Sequence, residues 1–118
     1  MRDLRERNRY GEMSGMKVSE MKVAHPEQVA KLGNDPLACA DDGEEYGDFR
    51  KRVVAAFVEL TKTDVENICI ISHGGVLRCL LKELLGLGEF GHLADFAVVC
   101  LESDNGEVML RNIENSFL

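Results

Sequence analysis

The sequence has no surplus of positive charge. Its 14 lysines and arginines face 21 aspartates and glutamates, which leaves a formal net charge of -7 and a pI near 4.9. Nucleic acids and acidic membranes both attract a positive protein surface. We therefore expect neither a nucleic-acid partner nor a membrane partner.

Long apolar runs and paired cysteines are also lacking. No window reaches the roughly 18 apolar residues of a membrane span, and no apolar region follows the N-terminal arginines as in a signal peptide. The four cysteines, Cys39, Cys69, Cys79 and Cys100, contain no CxxC pair. We expect reduced, buried thiols in a cytoplasmic protein, and neither a metal site nor a cofactor.

The bulk composition is that of an ordinary globular chain. With 118 residues, 45% hydrophobic and 30% charged, it is long enough for one domain with a single core. We treat residues 1–118 as one domain or a large piece of one.

The apolar pattern predicts an α/β fold. Apolar residues that recur at three- and four-residue steps predict a helix over residues 44–62. We expect an earlier helix to be capped by Ser19 and divided by Pro26. Residues 68–72 (ICIIS) are apolar at both odd and even positions, as in a central parallel strand that is covered on both faces. A leucine-rich helix follows and ends near Gly86. Asn105-Gly106 between residues 97–103 and 107–113 predicts a β-hairpin.

The segment Ser72-His73-Gly74-Gly75 is the clearest candidate site. Ligands sit at the carboxyl ends of parallel strands, and a helix N-terminus attracts anions through its unpaired N–H groups and its dipole. Two glycines let an anion approach the backbone, and His73 adds a donor that can carry charge near neutral pH. A glycine turn with a hydrogen-bonded histidine explains the motif equally well at this point.

Three segments, in order, resemble one family. ISHGGVLRCLLKELLGL is similar to the second-histidine motif of the histidine phosphatase superfamily, whose fold is phosphoglycerate mutase-like. LRERNRYGEMSG resembles the family's acid-bearing segment, and DGEEYGDFRKRVVAAFVEL resembles the helix before the HGG strand. The resemblance implies a truncated three-layer α/β sandwich with a mainly parallel sheet and a C-terminal β-hairpin.

The same resemblance implies roles for six residues. His73 matches the second catalytic histidine, and Gly74 and Gly75 would lie at the phosphate. Glu6 is the candidate acid that protonates the leaving oxygen, with Glu12 as an alternative. Arg7 and Tyr10 would contact the substrate, a small phosphorylated molecule or inorganic phosphate.

The family's nucleophile is not present in this sequence. Members carry it in an RHG motif, whereas the three histidines here, His25, His73 and His92, stand in AHP, SHGG and GHL. We expect this chain alone to be inactive as a phosphomonoesterase or phosphomutase. The alternative is a non-catalytic module that binds anions or oligomerises.

Losing the RHG strand would also leave an edge of residues 68–72 unpaired, which folded proteins avoid. We expect a homodimer, a complementing N-terminal segment, or pairing with residues 97–103 within the chain.

Overall fold

The computed structural model describes residues 2–86 and 92–117. Its four α-helices and two strands are α1 (Val18–Ala24), α2 (Pro26–Asn34), α3 (Tyr46–Thr61), α4 (Gly74–Glu83), β1 (His92–Asp104) and β2 (Glu107–Phe117). Two short 3-10 turns, Arg2–Leu4 and Gly11–Met13, precede them. The chain divides into two compact units. The larger unit comprises Met1–Glu6 and Arg50–Leu118, and the smaller unit is Arg7–Phe49.

Helix α3 confirms the predicted helix over residues 44–62, with its ends one or two residues further in. The apolar stripe is buried as expected, since Phe49, Val53 and Phe57 are each at most 8% exposed. The three- and four-residue spacing places these side chains on one face of the helix, where burial stabilises it.

The smaller unit has its own core. Met13, Leu32 and Ala40 are buried there, and four partly buried residues pack on them: Met16, Met21, Val29 and Ala38. Pro26 begins α2, a position where its missing N–H costs nothing. The prediction that Ser19 caps the first helix is wrong. Lys17 is the capping residue, and its backbone N–H donates to Glu20 Oε2 at 3.3 Å.

The C-terminal hairpin is confirmed and is longer than predicted. β1 and β2 are antiparallel, with Asp104 opposite Glu107. Asn105 and Gly106 have φ of 51° and 84°, the left-handed conformation that an Asn-Gly turn uses to match the twist of the strands. Leu81 of α4 packs against Val99 and other apolar residues of the hairpin.

The expected mainly parallel sheet is not found. In the part of the chain that the structure describes, the sheet is the two-stranded antiparallel hairpin alone. Residues 68–72 are not a strand, and they do not pair with residues 97–103. No helix among the described residues is long and apolar enough to cross a membrane.

The cysteines follow the prediction only in part. All four are free thiols. Cys39 and Cys79 are buried, whereas Cys69 and Cys100 are exposed, so the expectation that these two thiols lie in a core is wrong. Cys69 lies in a segment that pairs with no strand among the described residues, and Cys100 lies in β1 of the hairpin.

Candidate functional site

The site is built on the N-terminus of helix α4. His73 immediately precedes the helix with an extended backbone (φ -127°, ψ 157°), and its side chain makes no capping hydrogen bond. Its carbonyl accepts the N–H of Leu77 at 3.1 Å, which closes the first turn. The imidazole is exposed. The first N–H groups of a helix have no partner within the helix, so this end offers donors to an acceptor from elsewhere.

Glu6 supplies such an acceptor. Its Oε2 accepts a hydrogen bond from the backbone N–H of Gly75 at 3.0 Å. A side chain at Gly75 would collide with this carboxylate, because a Cβ there would lie 2.9 Å from Glu6 Cδ. A side chain at position 75 would push the flexible Glu6 side chain away, so glycine at this position permits the contact. Glu6, His73, Gly74 and Gly75 all belong to the larger unit, and Glu6 contacts the start of α4 through Gly75.

Two residues to which the sequence analysis assigned no role, Ser72 and Arg52, hold the turn before Glu6. The hydroxyl of Ser72 donates to the Leu4 carbonyl at 2.6 Å, and the Leu4 side chain is buried. The guanidinium of Arg52 donates to the carbonyls of Asp3 at 2.6 Å and Arg5 at 3.1 Å. Ser72 adjoins the motif and could have been found from it. Arg52 carries no sequence signal, because bonds to distant backbone carbonyls follow no spacing rule.

A third residue, Arg78, places positive charge at the same helix end. Its Nη1 would lie 3.5 Å from a Cβ built on Gly74, so the side chain runs back along α4 toward the helix start. No carboxylate pairs with it in the described ranges. Its charge therefore adds to the positive end of the helix dipole.

Arg7 and Tyr10 lie in the smaller unit. The Arg7 guanidinium donates to the carbonyls of Glu44 at 2.9 Å and Leu37 at 2.6 Å, and it lies 5.5 Å from the centroid of the Tyr46 ring. These contacts tie the surrounding loops together. Tyr10 is 44% exposed and precedes the turn Gly11–Met13.

The alternative acid, Glu12, is also in the smaller unit. Its side chain is exposed, and its backbone N–H donates to Asp42 Oδ2 at 2.9 Å. Glu6 is the candidate acid that accepts a hydrogen bond from the start of α4.

Cys39 is the buried thiol of the smaller unit. Burial raises its pKa, and the negative charge and hydrogen bond of Glu45 raise it further, whereas Arg7 acts in the opposite direction. A raised pKa keeps the thiol protonated at neutral pH, and the thiolate is the reactive form. Cys39 therefore has the character of a packing residue.

A large cavity opens within the larger unit. Its volume is about 620 Å³, and Ile68, Ile70 and Ser72 line one side of it. Leucines of α4 and apolar residues of the hairpin line other sides. Residues 68–71 make no backbone hydrogen bond to another described residue. The side chains of Ile68, Ile70 and Ser72 face the cavity, whereas Ile71 is 96% exposed.

The comparison with family models agrees with these motifs. The model of the histidine phosphatase superfamily (branch 1) matches residues 1–116 of the 118-residue chain. No curated protein and no solved structure matched the sequence. The chain belongs to the histidine phosphatase superfamily.

Proposed function

We propose that this chain binds a phosphate group, as inorganic phosphate or as a small phosphate monoester, at the N-terminus of α4. One observation carries the proposal: an exposed histidine directly precedes a helix whose first two residues are glycines. Superfamily membership supports phosphate as the ligand.

The physical basis is the electrostatics of the helix end. Its backbone N–H groups point outward, and its dipole attracts an anion. His73 and Arg78 add side-chain donors with positive charge when protonated. The backbone N–H groups and these two side chains would together balance the negative charge of the phosphate oxygens.

Glu6 is the proposed acid of this site. Its carboxyl group lies beside the helix end, where a proton delivered to the leaving oxygen of a phosphate ester would assist bond cleavage. The roles of Arg7 and Tyr10 as substrate contacts remain predictions from the family resemblance.

We propose that the chain alone binds phosphate monoesters without turning them over. Covalent phosphoryl transfer needs a nucleophile that forms the phosphoenzyme, and no histidine of this sequence stands in an RHG motif. Charge stabilisation at His73 would persist, but the covalent step would have no acceptor.

The test is calorimetric titration of phosphate into the protein and two histidine variants. We expect His73→Ala to weaken binding by about tenfold, the value of a charge-assisted hydrogen bond. His25→Ala is the matched control, since His25 lies between α1 and α2 in the smaller unit, and it should bind as the parent does. Equal affinity in all three proteins would refute the proposed site.

A second candidate function is self-association through residues 68–72. Ile68, Ile70 and Ile71 are 44%, 39% and 96% exposed, and the segment has no charge that would oppose pairing with a second copy. An extended apolar segment with free backbone groups is a template for strand pairing. A symmetric dimer would cover one edge of it in each copy.

A further inference from the structure

The backbone N–H of Gly75 already donates a hydrogen bond to an anion, the Glu6 carboxylate. The N–H of Gly75 is a donor that a phosphate at the α4 N-terminus would use, and the Glu6 carboxylate accepts its hydrogen bond at 3.0 Å. Gly75 has no side chain, and a Cβ there would lie 2.9 Å from both Oε2 and Cδ of Glu6. The carboxylate thus lies directly against the backbone of the helix end.

Placing two anions at this position costs free energy. A carboxylate and a phosphate at the same N–H repel each other, and the repulsion is larger near a protein surface than in bulk water. The helix end can satisfy either anion, but not both through the same donor.

We propose that the Glu6 carboxylate is a resident internal anion of this site, and that a phosphate group binds by displacing it from Gly75. The proposal rests on the proposed function, since it concerns how that same site is regulated. Glu6 then lowers the affinity for phosphate by competing with it, which is distinct from donating a proton.

The anchoring of the first turn makes such a displacement possible without unfolding. Ser72 and Arg52 hold the turn through the carbonyls of Leu4, Asp3 and Arg5. All of these bonds are to the backbone, and the Glu6 side chain is exposed. These anchors go to backbone carbonyls and not through the Gly75 N–H, so the turn keeps them when the carboxylate leaves Gly75.

The experiment compares phosphate binding to the parent chain, Glu6→Gln and Asp3→Asn. Glu6→Gln keeps the shape of the side chain and removes its charge. Asp3→Asn makes the same change of net charge three residues earlier, on a carboxylate 3.9 Å from Arg5. We expect Glu6→Gln to bind phosphate about three- to tenfold more tightly and Asp3→Asn to bind as the parent does.

A second readout is the backbone amide of Gly75 in the phosphate-free protein. Its proton resonance should move upfield in Glu6→Gln, because a charge-assisted hydrogen bond becomes a neutral one. Tighter binding in Glu6→Gln, with or without measurable binding in the parent chain, supports displacement. Binding in the parent that is unchanged or weaker in Glu6→Gln overturns displacement but leaves the proposed function standing. If neither protein binds phosphate, both proposals fail.

Discussion

The carboxylate of Glu6 accepts a hydrogen bond from the backbone N–H of Gly75, across a separation of 69 residues. This bond joins two motifs that the sequence shows only as separate pieces, the acid-bearing segment and the HGG segment. It places a carboxyl group and a histidine at one helix end, where we propose that a phosphate group binds.

We predict that the chain does not hydrolyse p-nitrophenyl phosphate above the buffer rate. Binding without a nucleophile leaves the covalent step without an acceptor. Release of p-nitrophenol is the measurement, with His73→Ala as the comparison. Turnover above that rate would contradict this prediction, and its loss in His73→Ala would locate the activity at this site.

Two glycine substitutions separate helix propensity from the contact with Glu6. Gly47 lies in α3, and a Cβ there would meet nothing within 4 Å. Gly47→Ala should therefore raise the free energy of unfolding by about 0.5–1 kcal/mol. Gly75→Ala should fail to give this gain, because its methyl group expels the Glu6 carboxylate and costs a charge-assisted hydrogen bond. Urea denaturation measures both, and equal gains would show that the Glu6 contact contributes nothing to stability.

The cysteines should divide into two classes of reactivity. We expect Cys69 and Cys100 to react rapidly with a thiol reagent, since both are exposed. Cys39 and Cys79 should react slowly, and Cys39 is further protected because burial raises the pKa of its thiol. Counting modified thiols over time by mass spectrometry tests this, with the urea-unfolded chain as the control in which all react. Rapid modification of Cys39 in the folded protein would contradict the burial of its thiol.

The exposed apolar segment predicts self-association. We expect a dimer in sedimentation velocity at micromolar concentration, and we expect Ile71→Lys to weaken it about tenfold, because like charges would meet where the two copies pair. Val23→Lys is the matched control, since Val23 is also highly exposed but lies on α1. A monomeric parent chain, or equal dissociation constants for the two lysine variants, would argue against pairing through residues 68–72.

The helices and the hairpin could be read from local patterns. The apolar period of α3 and the Asn-Gly turn are each encoded within one short segment, and both appear in the structure. Residues 68–72 were predicted as a parallel strand because they are apolar and β-branched. A strand exists only with a partner, however, and the pattern of one segment does not say whether a partner is present.

The site was predictable where residues belong to a motif and not where they act through the backbone. His73 and Gly75 stand in a recognisable string, and Glu6 could be reached by resemblance. Ser72 and Arg52 hold the first turn through carbonyls 68 and 47–49 residues away. Any residue type offers a carbonyl, so the sequence marks no acceptor for these bonds.

An NMR titration with sulfate, which stays a dianion across neutral pH, tests the anion site at the start of α4 most directly. We expect the backbone amides of Gly74 and Gly75 to shift at millimolar sulfate, while those of Gly47 and Gly106 do not. Unmoved amides at Gly74 and Gly75 at saturating sulfate, or shifts spread evenly over all four glycines, would contradict an anion site at the start of α4.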